Sequence, residues 1–277
     1  MHTSLSIIGC GKLGRTLGRL WQRAGNPLLH DILNRSQASA NGAVAFIGGG
    51  HAVADFAALQ LSQAFLIGTP DDAIEATCEA LAATGLLDQS CVVFHCSGAL
   101  NSSALQAAAK CGAAVASVHP IRSFARPEQV AAEFAGTYCG VEGDARALAL
   151  LNPLFESIGA KPVAIDGAKK ILYHGAAVMA SNYLVTLMDV ARNTYLEAGV
   201  APDAVLPMMA PLVRETLENV LQIGPEAALT GPIARGDTAT VARQQAALGQ
   251  WRDDYGALYR DLAALTQELA ARKHGKK

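Results

Sequence analysis

The chain has 277 residues, with 22 basic and 24 acidic side chains and a formal net charge of −2. A near-neutral balance without interleaved aromatic and basic residues argues against nucleic-acid binding. Hydrophobic residues make up 51% and charged residues 17%, which argues for a folded chain with a substantial core. We expect a cytoplasmic protein without a membrane partner, because the sequence shows neither a signal-peptide pattern nor a long uninterrupted apolar run.

The cysteines lie at positions 10, 78, 91, 96, 111 and 139, and none forms a Cys-x-x-Cys pair. Such pairs are typical of zinc ribbons and thioredoxin-like proteins, so neither class is supported. We interpret the cysteines as small apolar core residues. His95, Cys96 and His119 resemble metal ligands in type, but no close-spaced pair lies on one element, and we expect no metal site.

Short apolar runs alternate with helix-like segments through the first part of the chain. Strands that alternate with helices predict an α/β fold with a Rossmann-type, doubly wound parallel sheet. The predicted strands are 5–8, 64–68, 91–95, 114–118, 138–141 and 162–165, and the clearest helices between them are 11–25 and 145–158.

After Asp166 the sequence shows helical patterns and no convincing strand. One helix is predicted over 169–197, with Gly199 as its stop signal. Prolines at 202, 207, 211, 225 and 232 predict shorter helices beyond it, and Asp237 is a candidate helix cap. We therefore predict a Rossmann-like domain over 1–166 and an all-helical domain over 167–277.

A glycine pattern follows the first predicted strand and opens the first predicted helix. In Gly-x-Gly-x-x-Gly turns the glycines allow a tight turn, close approach of a pyrophosphate and close helix–strand packing. An ordinary glycine turn is the alternative, but the strand and helix supply the context that a dinucleotide site requires. The residues that fit the pattern are Gly9, Cys10, Gly11, Lys12, Leu13 and Gly14.

The choice of dinucleotide depends on the position 20 residues after Gly14, where a carboxylate would favour NAD. Asn34, Arg35 and Ser36 stand there instead. A guanidinium and a hydroxyl suit a 2′-phosphate, so we expect NADP rather than NAD, with an incidental polar turn as the alternative.

Two more loops follow predicted strands at the edge where ligands bind in parallel sheets. Thr69 and Pro70 follow one strand, and Ser97 follows the next. We expect all three to contact the cofactor, although helix capping is an equal alternative for Thr69.

These features, with segment 67–72 and the long helix after 169, resemble the 6-phosphogluconate-dehydrogenase-like superfamily. The superfamily includes pyrroline-5-carboxylate reductase, ketopantoate reductase, prephenate dehydrogenase and the β-hydroxyacid dehydrogenases. Segments 95–98, 117–120, 173–183 and 230–237 are similar to a bacterial branch that joins a Rossmann-like domain to a helical domain of unknown function. The resemblance covers nearly the whole chain. It implies an NADP-dependent oxidoreductase that dimerises through its helical domain.

In ketopantoate reductase and the β-hydroxyacid dehydrogenases the matching helix carries Lys-x-x-x-Asn. Asn182 fits the asparagine, but Val178 stands at the lysine position. His174 lies one turn earlier on the same face and is a candidate general acid, because a histidine's unperturbed pKa of about 6.5 suits proton transfer. A purely structural histidine is the alternative.

Three further residues are candidates for the substrate side. Ser181 lies near Asn182 on the same predicted helix. His119 precedes Pro120, which restricts it to extended geometry; it could contact nicotinamide or substrate, or it could be structural. Arg235 could clamp a substrate carboxylate, or it could fix its loop by pairing with Asp237.

Together these residues predict an NADP-dependent reductase of a small carbonyl or imine that bears a carboxylate, such as the 2-keto acid ketopantoate. His174, Asn182 and His119 are the predicted catalytic residues, Ser181 and Arg235 the predicted substrate contacts. Two alternatives stay open: a non-catalytic NADP sensor, and an enzyme in which a reduced deazaflavin exchanges hydride with NADP.

Overall fold

The computed structural model describes residues 3–275, apart from the His274 side chain. Residues 1, 2, 276 and 277, which the predicted domains include, lie outside the described residues. The chain divides into two compact units, Met1–Ala180 and Ser181–Lys277. The first unit therefore includes the start of the long helix that the sequence assigned to the second domain.

The first unit is built on an eight-stranded sheet. Its strands are β1 Ser4–Ile8, β2 Leu28–Leu33, β3 His51–Val53, β4 Ala64–Ile67, β5 Val92–His95, β6 Ala114–Pro120, β7 Tyr138–Gly143 and β8 Lys161–Ala164. They are ordered β3-β2-β1-β4-β5-β6-β7-β8. The order reverses between β1 and β4, which is the switch point at which such sheets bind ligands. The predicted Rossmann-type fold is confirmed.

One strand pair departs from the predicted parallel sheet. β6 and β7 run antiparallel, with Ser117 opposite Glu142 and His119 opposite Gly140. The connection between them contains only a helix of six residues, Pro127–Ala132. An alternation of strands and helices does not report strand direction, and an antiparallel neighbour needs no long crossover. The structure also extends β6 through Pro120, so His119 lies within the strand.

Helices cover both faces of the sheet, and alternate strand residues point into two apolar clusters. Leu66 packs in one cluster with Trp21 and Phe155, whereas Phe65 and Ile67 pack in the other. Burial on both faces is typical of parallel sheets between helices. The helices of this part of the chain are α1 Lys12–Ala24, α2 Gln37–Ile47, α3 Ile74–Ala82, α4 Gln106–Lys110, α5 Pro127–Ala132 and α6 Ala145–Glu156.

The single helix predicted over 169–197 is interrupted. It consists of α7 Lys170–Val178, a π-helical turn Met179–Tyr183 and α8 Leu184–Glu197. Hydrophobic periodicity is too coarse to show an extra residue in one turn, and such turns are frequent at functional sites. By length and composition Gly167–Glu197 could cross a membrane, and none of its most apolar 18-residue window is buried. One helix of this kind is weak evidence for a membrane span.

The second unit is helical. Besides α8 it contains α9 Pro202–Ile223, α10 Pro225–Ala228, α11 Gly231–Ala234, α12 Thr238–Trp251 and α13 Asp253–Gly275. The prediction that Pro207 and Pro211 end helices is wrong, because α9 continues through both. The helix does so although proline has no backbone N–H to donate. The predicted cap at Asp237 is confirmed, since its Oδ1 accepts from the Thr240 N–H at 3.0 Å.

Candidate functional site

The ends of β1 and β4 approach so closely at the first glycine turn that side chains do not fit. Gly9 has φ +83°, and a Cβ there would lie 2.6 Å from the backbone nitrogen of Thr69. A Cβ on Gly68 would lie 2.7 Å from the Gly9 carbonyl oxygen. Glycine at position 9 is therefore needed both for the backbone conformation and for the contact between strands.

The N-terminus of α1 offers an open, uncapped set of donors. Gly11 precedes the helix and supplies no side-chain cap, and the first turn carries no acidic residue. A Cβ on Gly11 would meet no atom within 4 Å. Nearby, the Thr69 hydroxyl is buried without a hydrogen-bond partner among residues 3–275, so it does not cap the following turn. This arrangement suits an anionic ligand such as a phosphate.

Asn34 and Ser36 hold the loop after β2. The Cys10 N–H donates to Asn34 Oδ1 at 2.6 Å, and the Asn34 side-chain nitrogen donates to the Ser39 hydroxyl at 3.1 Å. Ser36 caps α2 by accepting from the Ser39 N–H at 3.3 Å. Arg35 is exposed, and its side chain makes no hydrogen bond or ion pair within the described part of the chain. Arg35 is thus the member of this trio that is available to a ligand.

Ser97 serves its own loop. Its hydroxyl donates to Asp71 Oδ2 at 2.8 Å and accepts from the N–H groups of Ala99 and Leu100 at 3.1 and 3.0 Å. One hydroxyl has one donor and two acceptor positions, so these three bonds saturate it. The predicted cofactor contact of the Ser97 side chain therefore stays a prediction without support from its hydrogen bonds.

His95 holds the loop that contains Ser97 through two hydrogen bonds of its ring. Its Nδ1 accepts from the Ser97 N–H at 3.1 Å, and its Nε2 donates to the Asn101 carbonyl at 3.1 Å. Burial lowers the pKa of His95 to about 4, which keeps the ring neutral near pH 7. The neutral tautomer with the proton on Nε2 is the one that satisfies both bonds. His95 is a structural residue that shapes the turn before Gly98.

Gly98 is covered by two imidazole rings. A Cβ there would clash with His174 Nδ1 and would lie 2.8 Å from His119 Nε2. The two ring centroids are 5.9 Å apart. His174 Nδ1 is buried and has no hydrogen-bond partner within residues 3–275. The structure thus brings together two of the predicted catalytic residues and leaves one ring nitrogen unsatisfied.

His119 is paired with a tyrosine. Its Nδ1 lies 2.9 Å from the Tyr173 hydroxyl oxygen. Burial lowers the pKa of His119 to about 4, and the charges of Lys170 and His174 act in the same direction. Burial also raises the pKa of Tyr173, so both groups are neutral near pH 7. A neutral His–Tyr pair can orient a polar ligand but supplies no charge.

The sequence did not lead us to Lys170, a buried lysine on the same helix as Tyr173. Lys170 is 1% exposed, and its Nζ donates to the Ser117 hydroxyl and, at 3.3 Å, to Glu142 Oε1. Burial lowers the pKa of Lys170, while Glu142 opposes that change. A signal existed, because Lys170 stands one turn before His174 at the start of an apolar helix, where an unpaired charge is costly.

The remaining predicted catalytic and substrate-binding residues belong to the second unit. Ser181 and Asn182 lie exposed in the π-helical turn. Arg235 is also exposed and forms no ion pair with Asp237 in the described residues, so the predicted loop-fixing pair is not observed. The roles of these three residues in substrate binding stay predictions.

The cysteines act mainly as core residues. Five of the six are buried, Cys111 is exposed, and all six are free thiols. Burial raises the pKa of Cys10 and of Cys139 to about 12, so these thiols stay protonated and unreactive. Within residues 3–275 no group of three or more His, Cys, Asp or Glu side chains is arranged to hold a metal ion.

The fold and the glycine turn define a Rossmann-like protein, and residues 1–120 match the Rossmann-like domain family. Residues 137–266 match the domain of unknown function DUF2520. The chain therefore joins a Rossmann-like domain to a DUF2520 domain, in agreement with the resemblance noted from its motifs. No curated protein is significantly similar to it in sequence.

Several solved structures share the fold over nearly the whole chain. Protein TM1727 from Thermotoga maritima is 28% identical, with a TM-score of 0.78 and coverage of 98% of this chain and 99% of that one. An imine reductase from Streptomyces aurantiacus is 19% identical, with a TM-score of 0.66 and coverage of 94% and 92%. A reductive aminase from Aspergillus terreus, solved with NADPH and ethyl levulinate, is 18% identical, with a TM-score of 0.63 and coverage of 99% and 92%.

Proposed function

We propose that the protein is an NADP-dependent reductase of a small carbonyl or imine. The observation that carries this proposal is a series of contacts along the carboxyl edge of β1, β4, β5 and β6. It runs from the glycine turn at residues 9–14, here called the phosphate-type turn, to His119 and His174. Its successive contacts are Gly9 with Thr69, Asp71 with Ser97, and Gly98 with His119 and His174. A ligand site and a candidate proton donor therefore share one edge of one sheet.

The described residues fit NADP. The open N-terminus of α1 and the space at Gly11 suit its pyrophosphate, and Thr69 would gain the partner that its hydroxyl lacks. Arg35 would bind the 2′-phosphate with a charge-assisted bond. The bound cofactor supplies hydride chemistry. The structural relative from Aspergillus terreus was solved with NADPH, which agrees with this choice.

His174 is the proposed proton donor. Its Nδ1 is the ring nitrogen at Gly98 that lacks a hydrogen-bond partner among residues 3–275, so it keeps one bond unused for the oxygen or nitrogen of a substrate that accepts hydride. His119, held by Tyr173, orients that substrate. We further propose that Asn182 and Ser181 contact the substrate and that Arg235 binds a carboxylate on it, as in a 2-keto acid such as ketopantoate.

The experiment that tests this function follows the absorbance of NADPH in the presence of a panel of 2-keto acids, including ketopantoate, and small imines. Consumption that depends on one of these compounds supports a reductase. NADPH binding without consumption across the panel favours the second candidate, a non-catalytic NADP sensor. That candidate rests on Val178, which stands where the resembling dehydrogenases carry their catalytic lysine.

Cofactor choice can be tested at one residue. Arg35→Asp is expected to weaken NADPH binding about 10- to 100-fold, because a hydrogen bond to a charged group contributes about 1.5–3 kcal/mol. NADH binding should change little, since NADH lacks the 2′-phosphate. Fluorescence titration of both cofactors measures the difference, with the exposed Arg126→Asp as the charge-matched control. Equal losses for NADPH and NADH would refute the 2′-phosphate assignment.

We also propose a cytoplasmic homodimer formed through the helical unit. Large apolar side chains are exposed on it: Tyr183, Val185, Leu206, Leu212, Leu221 and Ile223. A second copy is a better cover for them than a bilayer, because α8 also carries Asp189 and Arg192, which are costly in a membrane.

Light scattering of the purified protein is expected to give the mass of a dimer. Leu212→Asp and Leu221→Asp should shift it towards the monomer, because each places a charge in the interface. Leu28→Asp, at a leucine of the first unit that is as exposed as Leu212, is the control and should leave the dimer intact. A wild-type protein that is only monomeric would contradict the proposal.

A further inference from the structure

The helix that carries His174 contacts β6 and β7 at two rungs of their ladder. Ser117 and Glu142 face each other in the first rung and His119 and Gly140 in the second, with Val118 and Val141 paired between them. Lys170, at the start of α7, bonds to both members of the first rung. One turn later, Tyr173 bonds to His119 in the second rung. The contacts of Lys170 with the first rung thus fix where the next turn of the helix, with Tyr173 and His174, lies.

Both rungs are shaped for this contact. Glu142 is 8% exposed and also accepts from the Ser102 N–H and hydroxyl, each at 2.8 Å. With Lys170 Nζ these make three hydrogen-bond donors to Glu142, which satisfies a buried carboxylate. At the second rung a Cβ on Gly140 would lie 2.5 Å from the Tyr173 hydroxyl oxygen, so glycine makes room for the tyrosine.

We infer that the buried Lys170–Glu142 pair is a positioning element that sets the register of α7, so that Tyr173 reaches His119 and His174 reaches Gly98. This inference rests on the proposed function and adds to it residues that contact neither cofactor nor substrate. A buried ion pair adds little net stability, but separating its partners leaves an uncompensated buried charge, so the register that joins Lys170 to Glu142 is strongly favoured. An apolar residue at position 170 would allow the helix to slide.

The same pair affects the ionisation of His119. Burial and the positive charges of Lys170 and His174 lower the pKa of that ring, and the charge of Asp71 raises it. Tyr173, its hydrogen-bond partner, is neutral near pH 7 because burial raises its pKa. Removing the charge of Lys170 should therefore raise the pKa of His119, and Glu142→Gln, which leaves that charge in place, separates this effect from a loss of packing.

The test compares Lys170→Met with Lys169→Met, which removes the same charge from a side chain that is 74% exposed. NMR of the cofactor-free protein measures the nuclear Overhauser effect between the Tyr173 and His119 rings and the titration of His119. Kinetics measure kcat and the dissociation constant of NADPH. Glu142→Gln is the second variant, in case Lys170→Met does not fold, because it keeps the size of the side chain.

Lys170→Met is expected to lose the ring contact, to raise the pKa of His119 and to lower kcat about 100-fold with NADPH affinity unchanged. Lys169→Met should match the wild type. Glu142→Gln should weaken the ring contact without raising the pKa of His119. An intact ring contact in folded Lys170→Met, or in Glu142→Gln if the former does not fold, would overturn the inference. If the wild type turns over no substrate, the proposed function fails, and the NMR measurements alone decide the positioning role.

Discussion

His174→Ala is expected to lower kcat about 10²- to 10⁴-fold, the contribution of a positioned general acid. The reason lies in its hydrogen bonding, since Nδ1 is buried at Gly98 without a partner among residues 3–275 and keeps one bond unused for a substrate. NADPH affinity should not change, because the phosphate-type turn is built from other elements. His51→Ala, at an exposed histidine of β3, is the matched control and should keep full activity.

The comparison requires a substrate from the reductase panel and is made from initial rates of NADPH consumption. Full activity in His174→Ala would remove this residue from the chemistry. Full activity in the double variant His174→Ala, Asn182→Ala would contradict the whole set of catalytic residues proposed on the long helix.

Gly98→Ala tests the contact of Gly98 with His119 and His174 by adding bulk, without removing any functional group. The new methyl group would clash with His174 Nδ1 and lie 2.8 Å from His119 Nε2, so both rings must move. Gly98 is not among the glycines with positive φ, and its backbone therefore accepts alanine. Since a misplacement of about 1 Å can cost about 100-fold, we expect kcat to fall by that order while NADPH binding persists.

Gly175→Ala is the matched control for this substitution. Gly175 lies in α7 beside His174, and a Cβ there would meet no atom within 4 Å. Alanine in a helix interior should stabilise the protein by about 0.5–1 kcal/mol and leave kcat unchanged. Thermal unfolding and steady-state rates measure both effects. Equal activity in Gly98→Ala and Gly175→Ala would show that the close contact of the two histidine rings with Gly98 does not affect catalysis.

The main features of the fold were predictable from the sequence, because buried strands of a parallel sheet are continuous apolar runs. Ala64–Ile67 and Val92–His95 are fully buried and were predicted nearly in place. His51–Val53 was not predicted, since three partly exposed residues give no periodic signal. The antiparallel direction of β7 and the π-helical turn were not predictable either, because neither changes the hydrophobic pattern.

The candidate site was predictable in its residue types but not in its contacts. The sequence predicted His119 and His174 separately, and only the fold shows that both rings meet at Gly98. Asn34 was predicted as a cofactor contact, yet its side chain holds the Cys10 N–H. Lys170 was missed because its partner Glu142 lies on a distant strand, and nothing local links the two residues.

The most direct test of the proposed reductase is NADPH consumption by the wild type and by His174→Ala, measured in parallel with the panel of small 2-keto acids and imines. We expect consumption by the wild type that requires one of these compounds, and a loss of about 10²- to 10⁴-fold in the variant with NADPH still bound. Tight binding of NADPH by both proteins, with no consumption by either, would contradict the assignment of a reductase.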